Sequence, residues 1–273
     1  MGASFGLWDK TMDLITVNKV VLHYSDQGDP NGKPVLFINS LGTDFRLWDQ
    51  LLPLLPTGLR FIRYDKRGHG LSSGPLAPYF MGDLVADAAG LLDALHVKSA
   101  IVVGLSIGGM IAQGLAAERP DLVAAMVLSN TGAKIGTPDV WDQRIATARK
   151  GGIEALADAT LERWFSKDFH ANRQPELAAW RAMLTRTWVE GYLGCSAAIS
   201  ETDLYDSTAR LRLPTLGIAG TEDGSTPPDL VREAVELIPG SEFALIRGVG
   251  HLPCVENPAE YAAILASFFE RVS

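Results

Sequence analysis

The run Val102-Val103-Gly104-Leu105-Ser106-Ile107-Gly108-Gly109 restricts the fold more than any other part of this chain. It is a G-x-S-x-G motif. The apolar residues 100–103 before it predict a strand, and residues 110–117 after it predict a helix. A turn this tight forces its central serine into strained backbone geometry. It leaves no room for bulk two residues to either side, a need that Gly104 and Gly108 meet. The same turn lifts the Ser106 hydroxyl above the sheet edge and aims the backbone N–H of Ile107 at an oxyanion. Short motifs of this kind also occur at ordinary strand-to-helix turns. The strand and helix flanks make Ser106 a candidate nucleophile.

A serine hydroxyl needs a base, and the base needs an orienting carboxylate. Of the five histidines, His23, His69, His96, His170 and His251, only His251 lies near the C-terminus on a loop, in Gly248-Val249-Gly250-His251-Leu252-Pro253. It follows a strand-like segment at residues 242–247 and precedes a helix start at Asn257-Pro258. The carboxylate is expected after the preceding strand, residues 214–219, in Gly220-Thr221-Glu222-Asp223-Gly224. Asp223 is the choice, because the glycine after it permits a sharp turn before the Pro227-Pro228 helix start; Glu222 is the adjacent competitor. A second oxyanion donor is expected after the early strand at residues 34–38, where Asn39-Ser40-Leu41-Gly42-Thr43-Asp44 offers the N–H of Leu41.

Strand-like and helix-like segments alternate along most of the chain, with strands at residues 20–24, 60–64 and 123–128 and a helix at 81–95. Alternation predicts an α/β fold with a mostly parallel sheet flanked by helices. It stops between residues 136 and 210, where only helices are predicted, at 140–149, 153–164 and 175–187. Residues 1–135 and 211–273 are therefore read as the core and 136–210 as an inserted helical lid. Trp141, Trp164, Trp180 and Trp188 fall within it, as an aromatic wall or as helix packing. In Arg63-Tyr64-Asp65-Lys66-Arg67-Gly68-His69-Gly70, Asp65 and Arg67 are expected to hold a turn beside the site, and His69 is read as a turn residue.

Composition narrows the function. The net charge of −8 weighs against nucleic-acid or anionic-membrane partners, though not against a small anionic substrate in a local basic pocket. No apolar run is long enough to cross a bilayer. Residues 1–10 lack a basic start before an apolar stretch, so no secretory signal is read there and a cytoplasmic location is expected. Residues 1–11 read as a loose tail. Cys195 and Cys254 are expected to be buried free thiols, and no metal-ligand or dinucleotide motif is present.

These features resemble the α/β-hydrolase superfamily over nearly the whole chain. More narrowly, the chain is similar to the 3-oxoadipate enol-lactonases of protocatechuate and catechol degradation. That likeness rests on the Asn39-Ser40-Leu41-Gly42-Thr43-Asp44 and Arg63-Tyr64-Asp65-Lys66-Arg67-Gly68-His69-Gly70-Leu71-Ser72 runs. Gly104-Leu105-Ser106-Ile107-Gly108-Gly109-Met110, Ser129-Asn130-Thr131-Gly132-Ala133-Lys134-Ile135-Gly136 and Arg163-Trp164-Phe165 add to it. One departure is His251-Leu252-Pro253-Cys254, where that family often has a serine soon after the histidine. The resemblance implies hydrolysis of an anionic enol-lactone by Ser106, His251 and Asp223, with Leu41 and Ile107 holding the oxyanion and no cofactor. It also implies a cation for the substrate carboxylate, with Lys134, Arg144, Arg163 and Arg186 as candidates. Asn39, Ser40 and Trp141 are further candidate substrate contacts. A general carboxylesterase, a carbon–carbon bond hydrolase or a cofactor-free perhydrolase would use the same three residues; a receptor-like or inactive relative is the alternative of another class.

Overall fold

The structure, a computed structural model, describes residues 12–272. The expectations for the first eleven residues, a loose tail without a secretory signal, therefore lie outside the described residues. Eight strands occur among the described residues: β1 (Leu14–Val17), β2 (Val20–Gly28), β3 (Lys33–Ile38), β4 (Leu59–Tyr64), β5 (Ala100–Leu105), β6 (Val123–Ser129), β7 (Thr215–Gly220) and β8 (Glu242–Ile246). They form one sheet in the order β1-β2-β4-β3-β5-β6-β7-β8. β2 runs antiparallel to both neighbours, and every pair from β4 to β8 is parallel. β5 and β7 are buried along their whole length, as expected of strands covered by helices on both faces.

Two helices, α1 (Met81–Ala94) and α2 (Ile107–Glu118), precede and follow β5. After β6 the chain makes α3 (Pro138–Gly151), α4 (Ala157–Trp164), α5 (Lys167–Asn172), α6 (Gln174–Thr185), α7 (Val189–Ser200) and α8 (Tyr205–Thr208) before returning to the sheet. α9 (Pro228–Glu236) follows β7, and α10 (Pro253–Glu256) and α11 (Pro258–Val272) follow β8. The helix expected over 153–164 is interrupted: Ile153–Leu156 is a 3₁₀ turn and α4 starts after it. The sequence pattern missed α5 and α7. α5 is too short to show a period. α7 carries two glycines and is buried almost all round, so it has no polar face to mark it.

The register places the ends of the parallel strands along one edge. Ile38 pairs with Gly104, Leu105 with Ser129, Ser129 with Ile218, and Gly220 with Ile246. The loops after β3, β5, β6, β7 and β8 therefore open side by side. Strand order reverses between β3 and β5, the position where open α/β sheets leave a crevice for ligands. The helices between β6 and β7 are fastened over this edge. Gly224 N donates to Arg163 O at 3.1 Å and His251 N to Trp164 O at 2.8 Å. Trp164, Leu184 and Tyr192 belong to the same continuous buried core as the sheet.

The turn from β5 into α2 has no spare volume. A β-carbon on Gly104 would lie 2.2 Å from Gly108 O, and one on Gly108 would lie 2.1 Å from Ile38 O. Both obstacles are backbone and cannot rotate away. Gly108→Ala is therefore expected to destabilise the protein by about 1–3 kcal/mol or more. Urea denaturation checks this, and a midpoint equal to wild type would contradict the close approach.

Candidate active site

Ser106 caps α2 with φ 59° and ψ −122°, a left-handed conformation that a side chain rarely adopts. Its neighbours hold it there. Ser106 N donates to Ser129 O at 3.0 Å, extending the β5–β6 pairing, and Thr131 Oγ1 donates to Ser106 O at 2.6 Å. The N–H of Ile107, first in α2, meets no acceptor among the described residues, nor does the N–H of Leu41 in the adjoining loop. Two unpaired backbone donors thus flank the serine, the arrangement that stabilises a developing oxyanion.

His251 is almost wholly buried, and its Nδ1 lies 2.9 Å from Asp223 Oδ2. Asp223 accepts further bonds from Asn130 Nδ2 (2.8 Å), Thr226 Oγ1 (2.7 Å), Ser225 N (2.7 Å) and Thr226 N (3.0 Å). Burial by itself raises the Asp223 carboxyl. The opposing effects of His251, Asn130 and the Thr226 N–H are together larger and hold it below the usual carboxylate range. Asp223 therefore stays ionised on mild acidification. The stability this contributes is present above the unfolded-state value and is lost as pH falls through the depressed one. Glu222 is exposed and accepts from Lys167 N at 3.1 Å, away from the histidine. In the structure it is Asp223, and not Glu222, that meets the histidine.

The partner of His251 Nε2 is Ser40 Oγ, at 3.4 Å; among the described residues no hydrogen bond joins Nε2 to Ser106. Serine–base contacts of this kind often tighten only when substrate binds. The histidine loop is held from outside by Glu256, whose carboxylate accepts from Gly250 N at 2.6 Å and from Ser166 N at 3.1 Å.

The structure sorts the other expected contacts. Asn39 does not face a ligand, because its amide is consumed internally, donating to Tyr64 O and accepting from Trp48 Nε1, each at 3.1 Å. Lys134 pairs with Asp203 at 3.1 Å on the exposed surface. Arg186 is exposed and lines a cleft of about 820 Å³ with His23, Phe45, Glu176 and Trp180, a lining that includes none of Ser106, Asp223 and His251. Arg144 and Arg163 are different. Arg144 donates to Tyr192 Oη (2.8 Å) and Thr160 Oγ1 (3.2 Å), and Arg163 donates to the same Thr160 Oγ1 (3.4 Å). Neither guanidinium meets a carboxylate among the described residues. Burial, then the like charge of Arg144, push Arg163 below the usual guanidinium range. Trp141 lies beneath Arg144, 5.2 Å from ring centre to guanidinium carbon, and anchors itself through Nε1 to Ile135 O at 2.6 Å.

Arg163 packs against the Asp223 loop, and Arg144 is linked to the Leu41 loop through Tyr192. Tyr192 and Trp164 pack against Gly42, next to Leu41, and the Arg163 backbone and side chain pack on Gly224, next to Asp223. Sequence reasoning missed Asn130, Thr226 and Glu256, which hold Asp223 and the His251 loop. A Thr three residues past the expected acid was visible, but nothing local marks Asn130 or Glu256. It also read His69 only as a turn residue, whereas His69 Nε2 accepts from Gly42 N at 3.1 Å. Among the described residues no group of three or more His, Cys, Asp or Glu is placed to hold a metal ion, and no helix is long and apolar enough to cross a membrane.

A serine at a strained strand–helix turn, two unpaired N–H groups beside it, and a buried His–Asp pair at neighbouring strand ends define the α/β-hydrolase class. A family profile described as alpha/beta hydrolase fold matches residues 33–258, and the chain belongs to that family. Its relatives include 3-oxoadipate enol-lactonase 2 of Acinetobacter baylyi, 31% identical over 259 residues that span 95% of this chain and 97% of that protein. The crystal structure of the enol-lactonase from Burkholderia xenovorans LB400 is similar with a TM-score of 0.92 at 35% identity, covering 94% of this chain and 100% of that one. A non-heme chloroperoxidase of Streptomyces lividans is 29% identical over 250 residues, 84% of this chain and 89% of that protein.

The carboxylate of Asp223 must accept from His251 and balance the imidazolium in any reaction that uses this pair. Asp223→Asn is expected to lower ester turnover by about 10⁴-fold, while Glu222→Gln leaves it nearly unchanged. Steady-state rates of the two purified variants check this; the reverse order of penalties would reassign the acid to Glu222.

Proposed function

We propose that the protein is a serine hydrolase acting on ester bonds, and that its substrate is 3-oxoadipate enol-lactone, opened to 3-oxoadipate in aromatic catabolism. The observation that carries the substrate choice is the Arg144–Arg163 pair, two cations without a carboxylate partner among the described residues: Arg163 packs on Gly224 beside Asp223, and Arg144 donates to Tyr192, which packs on Gly42 beside Leu41. A carboxylate-bearing substrate supplies the missing anion. The enol-lactonase relatives support the same reading.

In this reading Ser106 Oγ attacks the lactone carbonyl carbon as its proton passes to His251 Nε2. Asp223 holds the ring orientation and balances the imidazolium. The N–H groups of Leu41 and Ile107 receive the oxyanion. Collapse of the tetrahedral intermediate breaks the ring C–O bond, and the His251 proton goes to the departing enolate oxygen. The enol then tautomerises to the ketone, which makes ring opening hard to reverse. A water activated by His251 adds to the acyl carbon, and its collapse returns Ser106 and releases the second carboxylate. No cofactor takes part in these steps.

Ser106→Ala tests the nucleophile. Turnover is expected to fall by about 10⁴–10⁶-fold with an unchanged circular dichroism spectrum. A variant keeping a tenth of wild-type turnover would remove Ser106 from the reaction.

Substrate choice is tested separately, by comparing kcat/KM for the enol-lactone and for its methyl ester. A carboxylate docked on a sheltered guanidinium gains a charge-assisted hydrogen bond of about 1.5–3 kcal/mol, so the free acid is expected to be preferred by roughly 10- to 150-fold. Arg144→Gln and Arg163→Gln are expected to erase the preference, and Lys134→Gln and Arg186→Gln to leave it. Equal values for acid and ester would favour a general esterase on the same three residues.

A further inference from the structure

Lys66 takes no part in the reaction above, yet its side chain is among the most deeply buried in the protein, with 1% of the residue exposed. A lysine rarely sits there, because removing an ammonium from water is costly. Burial pushes it down to about 8, against the opposing influence of Cys195, Asp65 and Asp44. No carboxylate pairs with it among the described residues. Its Nζ instead donates to two successive backbone carbonyls, Asn39 O at 3.1 Å and Ser40 O at 2.9 Å.

Those carbonyls belong to the loop after β3. A trans peptide unit is planar, with C=O and N–H pointing opposite ways. Fixing Ser40 O toward Lys66 therefore turns the N–H of Leu41 to the other side, and that N–H is one of the two without an acceptor. Thr43 adds a hydroxyl and an N–H to the same Ser40 oxygen, at 2.9 and 3.3 Å. One unit further on, Gly42 N donates to His69 Nε2. Burial, then the charge of Lys66, lower His69, and this favours the neutral ring that can accept. Two side chains of the turn after β4 thus hold the peptide units on both sides of Leu41.

We propose that Lys66 is a positioning residue for the oxyanion hole: its ammonium locks the Ser40–Leu41 peptide so that the Leu41 N–H faces the oxygen that gains charge in the tetrahedral intermediate. The proposal rests on Ser106 being the nucleophile. A donor aimed at that oxygen acts on the transition state more than on the bound substrate. Its loss therefore lowers the rate of acylation and spares binding.

The experiment measures acylation of the enzyme by p-nitrophenyl acetate in stopped flow, separating the rate constant from the substrate dissociation constant. Inhibition by 1,1,1-trifluoro-2-butanone is measured alongside, since Ser106 Oγ adding to that ketone forms a hemiketal whose oxyanion occupies the hole. Lys66→Met is expected to lower the acylation rate by about 10- to 100-fold, to leave substrate dissociation within about twofold, and to weaken the ketone by the same factor as the rate. Lys66→Gln, which keeps an N–H donor, is expected to fall between Met and wild type. An acylation rate within about threefold of wild type in Lys66→Met would overturn the proposal. So would a rate loss with unchanged ketone inhibition, the signature of a purely structural role. If Lys66→Met does not fold, Lys66→Gln decides: a loss of about 3- to 30-fold at unchanged substrate dissociation supports the proposal, and wild-type behaviour overturns it. Ser106→Ala, run in parallel, separates the two ideas. Activity surviving in Ser106→Ala defeats the nucleophile assignment, whereas a silent Ser106→Ala beside a wild-type Lys66→Met defeats only the role of Lys66.

Discussion

Ser106 is kept in a left-handed backbone conformation that costs on the order of 1–3 kcal/mol, and the surrounding structure is arranged so that it cannot relax. Its N–H completes the β5–β6 ladder, its carbonyl is held by Thr131, and glycines two positions away let Gly108 and Ile38 backbone close in on either side. Relaxing φ would break the ladder bond or drive backbone into backbone. The hydroxyl therefore stands at a fixed point above the sheet, and every other group of the site is placed relative to it by strand register. β3 lies beside β5, so the Leu41 loop flanks the elbow, while β7 and β8 bring Asp223 and His251 together.

Three sets of charged side chains around the candidate site are balanced differently. Asp223 is stabilised by five donors and remains ionised. Lys66 has only backbone carbonyls, and its charged form is weakened by burial. Arg144 and Arg163 have hydroxyl groups and each other, which leaves net positive charge without a local anion. The first arrangement is complete in itself. The third has room for an added anion, which the proposed substrate's carboxylate would supply. The second is satisfied geometrically but expensive in desolvation, and a buried cation is a poor way to gain stability alone.

The elbow, the His251 loop, the Asp223 loop and the Leu41 loop were legible because each is a particular residue at a particular strand end, and strand ends follow from local patterning. The same holds for the helical run between β6 and β7. Partners distant in the chain were not legible. Lys66 reaches Ser40 across 26 residues, Asn130 reaches Asp223 across 93, and Lys134 pairs with Asp203, 69 residues away. Hydrophobic periodicity reports which face of an element is buried and is silent on which polar group meets which. That is also why patterning does not foretell that Lys134 pairs with Asp203, that Arg186 is exposed in a separate cleft, or that Arg144 and Arg163 share one threonine.

Selectivity and chemistry in the proposed reaction are drawn from different parts of the chain but are not mechanically independent. Arg163 sits at the end of α4; its guanidinium faces Arg144 and Thr160, while its backbone carbonyl accepts from Gly224 next to Asp223. The following carbonyl, of Trp164, accepts from His251 N. A change in the seating of α4 is therefore felt at both members of the acid–base pair, through backbone bonds that no side-chain substitution removes. Replacing the Arg163 side chain withdraws the cation and leaves the carbonyl in place. Effects of such a change on a neutral ester thus measure how far the position of α4 itself depends on the guanidinium, and effects confined to the acid measure charge recognition alone. α4 is also held by Trp164 and Leu161 in the common core, independent of the charge, so its seating is expected to survive loss of the guanidinium.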